Sequence, residues 1–416
     1  SEARAKLAAL RDGTELSHQL ASLDGGDCAL VFTGQGSQSH GMAGWLLRSW
    51  PLFDDLVARC DKLLQGRAGW TFAAQPLRAL LSTTDPDPAW PDCRQTAYAQ
   101  PLLFAYEVGL GKLSLGEIAA ATLSGVFSLE QGFALALERG ALMQAQPPGA
   151  MVALACDAAR AQALLAESAA QASGPAALNG PRRVVVSGPT AEMAALQAVA
   201  AQAGVKAQAL TVSHAFHSAM MAPVRAPLEA VVARLKPGRA GWPLLSNLTG
   251  DWVDERRLGR PDYWGAHLLS PVRFHSGAEK LLAQSPAAIL EIGPRPQLLS
   301  LLAEAEGAAD AGPPPVLVAS QRPDRDAQRT FLEALRLLYL AGVKIDWSPL
   351  KTLKPAQHRD LPLTRFQRRR HWLPLEGQAA CAPADHPLLG REIATPLAAR
   401  LFESQLRAGQ PDWLSD

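Results

Sequence analysis

Cys28-Ala29-Leu30-Val31-Phe32 runs directly into Thr33-Gly34-Gln35-Gly36-Ser37. An unbroken apolar run of this length, closed by a glycine-rich turn, reads as a buried β-strand and its exit. Parallel α/β sheets build their sites in this way, because amides freed at the turn can face an anion or an oxyanion. A simple tight turn is the plainer alternative. The stretch lacks the Lys-Ser/Thr of a phosphate loop and the full G-x-G-x-x-G spacing of a dinucleotide site, which argues against nucleotide binding.

Before that strand, residues 2–22 carry helix formers with apolar positions at helical spacing and predict a linker helix. Thr96 to Lys112 and Leu115 to Leu123 each repeat that pattern, so two helices abut at Ser114. From Pro148 the character changes. Ala150 to Ala155, Arg183 to Ser187 and 207–212 read as strands, alternating with Ala-rich helices over 158–172 and 190–203. This alternation predicts a small inserted domain with a ferredoxin-like sheet. A helix over Pro223 to Leu235 and strands at Pro243 to Asn247 and Ala288 to Ile292 mark the large domain resuming. Ala311-Gly312-Pro313-Pro314-Pro315 reads as a linker, and 327–341 as a last strong helix.

Lys plus Arg number 40 and Asp plus Glu 39, so no global field draws nucleic acid or an anionic membrane. The 48% hydrophobic content supplies a sizeable core, without an apolar run long enough to span a bilayer and without a secretory leader. Five scattered cysteines form no CxxC pair, which predicts a reducing cytoplasm and no metal. Ser1 opens straight into a helical pattern and Asp416 stops without a terminator, so a piece of a longer polypeptide is expected.

Several residues offer chemistry. Ser114-Leu115-Gly116 before a helix has half the form of a nucleophile elbow, or is an ordinary N-cap serine. His214 and His217 could be a general base with a pocket residue, a pair of metal ligands, or inert histidines. No third ligand stands near them in sequence. Arg139 falls on one face of a helix, where it is either solvated or, if buried, suited to clamping a carboxylate.

Taken together and in order, Val31 to Gln38 with Gly41-Met42, Gln100-Pro101, Ser114-Leu115-Gly116-Glu117, Arg139-Gly140, Met143-Gln144, Asn179-Gly180, His214-Ala215-Phe216-His217 and Glu291-Ile292-Gly293-Pro294 resemble the malonyl-CoA acyltransferase domains of modular polyketide synthases. The resemblance implies an α/β fold with a hydrolase-like large subdomain, containing a parallel sheet, over 27–147 and 217–310, and a ferredoxin-like small subdomain over 148–216. Residues 1–26 would end a ketosynthase linker, 311–379 would form the linker after the domain (Leu361 to Trp372 is similar to it), and 380–416 would open a dehydratase domain. It further implies Ser114 as nucleophile, His217 as base, backbone amides of Gln35 and Leu115 as oxyanion hole, and Arg139 on the malonyl carboxylate. Gln100, Asn179, His214 and Phe216, with Ser187, would line the acyl cavity, and His-Ala-Phe-His resembles the malonyl rather than the methylmalonyl type. Malonyl-CoA would be the co-substrate with no bound cofactor, and an acyl carrier protein and the adjacent ketosynthase and dehydratase domains would be partners.

One departure keeps a second reading open. The family pattern places a short strand and Gly-His before the serine, whereas here the helix runs into Lys112-Leu113-Ser114. Roughly 15 to 20 residues, the length of a loop and a core strand, are absent. An inactive remnant with a structural role in the synthase fits that absence.

Overall fold

A computed structural model of the chain describes residues 26–111, 117–306, 314–347 and 389–404. Ser114 and Leu115, the N-terminal helix, the 361–372 stretch and most of the C-terminal segment lie outside the described residues. The chain divides into two compact units, Ser1–Pro355 and Ala356–Asp416. In the second, strands Arg391–Ile393 and Leu401–Glu403 pair antiparallel.

The first unit opens with β1 (Cys28–Phe32), followed by helices α1 (Gly44–Ser49), α2 (Pro51–Leu64), α3 (Pro76–Ser82), α4 (Thr96–Gly111), α5 (Glu117–Leu123) and α6 (Leu129–Gln144). α4 carries large apolar residues on several sides because the core encloses it: Leu102, Phe104, Tyr106 and Val108 are all buried. α6 starts at a reciprocal cap, in which Ser128 Oγ accepts from the Gln131 amide at 3.2 Å and Gln131 Oε1 from the Ser128 amide at 2.9 Å.

The inserted part follows as β2 (Ala150–Leu154), α7 (Ala158–Glu167), β3 (Gly174–Gly180), β4 (Arg183–Gly188), α8 (Thr190–Gln202) and β5 (Ala207–Ala209). Its four-stranded sheet has the order β3-β4-β2-β5, with every pairing antiparallel, which is the β-α-β-β-α-β ferredoxin-like arrangement. Its two ends cross where the Gly149 amide donates to the Ser213 carbonyl at 3.1 Å. Only glycine fits at that crossing: a Cβ on residue 149 would stand 2.7 Å from the Cβ of Ala215.

The large part resumes with α9 (Ala222–Val232), the hairpin β6 (Leu244–Ser246) and β7 (Asp251–Val253), then α10 (Glu255–Leu258), α11 (Pro261–Leu269), α12 (Phe274–Leu282), β8 (Ala288–Ile292), α13 (Leu299–Glu306), β9 (Val316–Ala319) and α14 (Ala327–Leu340). β1, β8 and β9 form a parallel sheet in that order. The central strand β8 is wholly buried, as two-sided covering of a parallel sheet demands, whereas β1, which has no charged residue, is only half-buried at the sheet's outer position.

Glu107 lies fully buried on α4 and accepts a 2.7 Å hydrogen bond from Thr33 Oγ1, with its other oxygen unpartnered. Burial, reinforced by the nearby Glu291 charge, raises its pKa well above the usual carboxylate range. A carboxyl raised in this way gives its full stability below the unfolded value of about 4.3 and loses it as pH rises toward the folded value. Glu107→Gln keeps the acceptor for Thr33 without an ionisable proton. Melting curves should therefore show the variant gaining on wild type from pH 5 to pH 8; a constant difference would refute the assignment.

Candidate active site

Parallel pairing brings the exits of β1 and β8 side by side, where the Thr33 amide donates to the Ile292 carbonyl at 3.1 Å. Clefts beyond the carboxyl ends of such strands are where α/β folds place ligands. The turn after β1 is fixed from beneath: Ser37 Oγ lies 3.2 Å from Thr33 Oγ1 and donates to the Gly34 carbonyl at 3.1 Å, while Thr33 is tied to Glu107. At its crest Gly36 has φ +108°, and Gln35 Nε2 donates to Thr96 Oγ1 at 3.2 Å. No group among the described residues accepts from the Gln35 amide. Gly293 makes the neighbouring turn possible, since a Cβ there would fall 2.0 Å from Thr33 Oγ1. Gly293→Ala is thus expected to lower stability by about 1–3 kcal/mol, as overpacking does, measurable in a denaturant titration.

His217 leaves the inserted part with φ +55°, a left-handed conformation rare for a residue with a side chain. The helical turn Ala219–Met221 holds it, with Ser218 Oγ donating to the Ala215 carbonyl at 2.7 Å and accepting from the Met220 amide at 3.3 Å. Nδ1 of His217 donates to the Ser270 carbonyl at 3.0 Å, just past α11. That bond places the proton on Nδ1 and leaves Nε2 as a lone pair. Burial, then the nearby His267 and Arg139 charges, push the His217 pKa down to about 3.

His267 faces His217 edge-on, with ring centroids 5.8 Å apart. Its Nε2 stands 3.2 Å from Glu117 Oε2, and its Nδ1 is buried without a partner. The Glu117 carboxylate, at the first position of α5, also accepts from the Asn247 amide at 2.8 Å and from the Tyr263 hydroxyl. Arg139, half-buried on α6, makes no hydrogen bond or ion pair with any described residue. Burial brings its pKa down to about 10 against the opposing pull of Glu117. A guanidinium held this way without a partner has its five donors open to an incoming carboxylate.

Of the residues singled out in the sequence, Gln35, Gln100, Arg139 and His217 sit on the elements that meet here. Gln100 Nε2 lies 3.4 Å from Met143 Sδ, and its Oε1 is buried and unpartnered. His214 is buried, and both its ring nitrogens are engaged, at 2.8 Å with Ser213 Oγ and 3.2 Å with the Gln146 carbonyl. Phe216 is buried too, its carbonyl receiving a 2.6 Å hydrogen bond from Ser187 Oγ. Asn179 is half-buried on β3 of the inserted sheet. His267, Tyr263 and Ser270 were not singled out. A histidine inside the aromatic helix Pro261–Leu269 carries no motif, and only the fold brings it to His217.

The family model described as "acyl transferase domain" matches residues 29–345, most of the chain. The chain belongs to that family. Over 94% of its length this acyltransferase domain is 32% identical to the spectinabilin polyketide synthase system protein NorB of Streptomyces orinoci, of which the match covers 19%. The domain therefore spans less than a fifth of that relative. Among solved structures, the acyltransferase domain from the second module of the salinomycin polyketide synthase superposes with a TM-score of 0.71 at 31% identity, covering 83% of this chain and 82% of that one. A malonyl-transacylase in complex with a type II polyketide acyl carrier protein superposes with a TM-score of 0.62 at 26% identity, covering 74% and 99%. These similarities place the domain among the acyltransferases of modular polyketide synthases, on the α/β fold with a parallel sheet. Among the described residues no helix is long and apolar enough to cross a membrane.

Proposed function

We propose that this acyltransferase domain moves a malonyl unit from coenzyme A to the phosphopantetheine thiol of an acyl carrier protein, through an ester on Ser114. The observation that carries the reading is the pairing of a neutral, oriented His217 with an unpartnered Arg139 near enough to lower its pKa. Nε2 takes the Ser114 hydroxyl proton as the oxygen attacks the thioester carbon, and returns it to the departing coenzyme A sulfur. The open Gln35 amide and that of Leu115 hold the developing oxyanion. Arg139 takes the free carboxylate, which selects a dicarboxylic acyl group. In the second half the carrier's thiol attacks the ester, with its proton passing through His217 to Ser114.

Glu117, three positions after Ser114 in the sequence, has its carboxylate 3.2 Å from His267 Nε2, and the His267 ring packs against His217. Phe216, fixed through its carbonyl, is the residue that would meet an α-methyl group, and His214 acts by anchoring that stretch. A single methyl is worth about 1–3 kcal/mol, so a preference for malonyl over methylmalonyl is expected rather than exclusion. Gln100 and Asn179 complete the cavity wall. Malonyl-CoA is a co-substrate, no resident cofactor takes part, and the partners are a carrier protein and flanking ketosynthase and dehydratase domains in the cytoplasm.

A second reading is a catalytically inactive acyltransferase that serves as scaffold. It is favoured by the connection between α4 and α5, where only residues 112–116 intervene, and by β1 standing at the outer position of the parallel sheet. Intact-protein mass spectrometry after mixing with malonyl-CoA separates the two. The transferase reading expects a one-malonyl mass increase, absent in Ser114→Ala and discharged by holo carrier protein. An unmodified protein that still binds neighbouring synthase domains would favour the scaffold reading, and steady release of free malonate indifferent to carrier protein would favour a hydrolase.

A further inference from the structure

The loop beyond the glycine turn brings His40 against residues far from it in sequence. A ring nitrogen of His40, a carboxylate oxygen of Asp92 and Sγ of Cys93 all lie within 4.8 Å of one another. Nδ1 of His40 is buried and has no hydrogen-bond partner. Cys93 is 3% exposed, and its thiol rests against the His40 backbone amide. The arrangement joins two loops: one continues from the turn carrying Gln35, the other leads into α4. Those loops are already tied once, through Gln35 and Thr96.

We propose that His40, Asp92 and Cys93 form a zinc site that clamps the turn after β1 to the start of α4. One imidazole, one thiolate and one carboxylate make a borderline-soft donor set, which suits Zn²⁺ and disfavours the hard cations Mg²⁺ and Ca²⁺. Zinc bonds of about 2.0–2.3 Å put tetrahedral ligands some 3.3–3.8 Å apart, so the cluster needs to close by about 1 Å, within reach of side-chain rotation. Water takes the fourth position. The thiol proton of Cys93 leaves to solvent as the sulfur–zinc bond forms, so charge and atoms balance without any redox partner.

Asp92 also has an outer partner. Arg94 contacts both its oxygens, with Nε at 3.0 and 2.9 Å from Oδ1 and Oδ2, and the Arg94 amide donates to Oδ1 at 2.9 Å. Hydrogen bonding of a ligating carboxylate from outside is the usual way its orientation is fixed. The Arg94 side chain is 73% exposed, so it can swing to leave one oxygen for the metal. No ligand spacing links residue 40 to residues 92–93, so the site is not legible in the chain. It takes no part in the acyl-transfer mechanism proposed above and stands or falls separately from it.

The test uses the full chain, stripped with chelator and titrated with zinc against a chromophoric indicator. One equivalent of zinc per chain and a rise in Tm on binding are expected, with both lost in Cys93→Ser and His40→Ala but kept in Cys381→Ser. Cobalt supplies the second measurement, because a thiolate ligand gives a sulfur-to-cobalt charge-transfer band in the near ultraviolet, which Cys93→Ser should abolish. Circular dichroism of each variant shows whether it has folded, and the cobalt spectrum of wild type needs no variant at all. No stoichiometric binding by wild type, a cobalt spectrum without the thiolate band, or zinc retained by folded Cys93→Ser would each overturn the proposal.

Discussion

His217→Ala is expected to slow formation of the malonyl ester by roughly 10²–10⁴-fold, the ordinary worth of a positioned general base. The bond from Nδ1 to the Ser270 carbonyl keeps the proton on that nitrogen and leaves Nε2 as the lone pair. His267 turns its Nε2 to Glu117, and its ring stands edge-on to that of His217. The pH profile sharpens the expectation. A histidine with an ordinary pKa of about 6.5 would lose its base form below neutrality, whereas His217, lowered to about 3, stays neutral. The acid limb of ester formation should therefore lie below pH 5. Stability follows with the opposite cost: between about pH 6.5 and 3 the unfolded chain binds a proton that the folded chain refuses, so stability falls as the solution is acidified. His217→Ala should flatten part of that fall. Single-turnover acylation across pH, read beside Tm, checks both; an acid limb near 6.5 would contradict the assignment.

Arg139→Met should move activity and stability in opposite directions. The guanidinium is held among protein atoms with no hydrogen bond or ion pair from any described residue, and burial already lowers its pKa to about 10. Replacing such a charge with an apolar side chain of similar length removes a desolvation cost, so Tm should rise. The malonyl carboxylate, left without its partner in the same pocket, should cost about 3–4 kcal/mol, or 10²–10³-fold in kcat/KM. Acetyl-CoA, which has no second carboxylate, should be used as well as before or better. Competing malonyl- and acetyl-CoA against each variant measures the ratio, and an unchanged ratio would show that Arg139 does not read the acyl group. The rise in Tm is expected even where the domain does not acylate.

Much of this arrangement could be read from the chain. Cys28 to Phe32 is an apolar run of strand length and Ala288 to Ile292 one interrupted only by Glu291, both beside glycines, and they are the paired β1 and β8. Helix α6 carries its own start signal at Ser128, and the ferredoxin-like insert follows from alternation between Val-rich and Ala-rich stretches. β3 was missed because Gly-Pro-Ala-Ala-Leu-Asn-Gly has neither alternation nor β-branched residues. It is a strand because the buried Val184, Val185 and Val186 of β4 offer it a partner, and packing overrides weak propensity. β9 hides directly behind the proline run read as a linker, completing the parallel sheet on the far side of β8. In the site, the residues with motifs could be located, and those acting through others could not. Ser270 contributes only a carbonyl, which any residue has, and His267 matters through its distance to His217, which no local pattern encodes.

The crossing of Gly149 with Ser213 has a consequence for heredity. Because the insert leaves the chain within a hydrogen bond of where it departed, two recombination points on either side of it lie together in space, and a foreign copy can be spliced in without stretching its host. Crossovers just before Gly149 and just after Phe216 would move the anchored His214-Ala215-Phe216 stretch with the cassette and leave Arg139 and His217 to the recipient. A lineage could in this way exchange the part proposed to judge the α-carbon of the extender while inheriting unchanged the parts proposed to hold its carboxylate and move its proton.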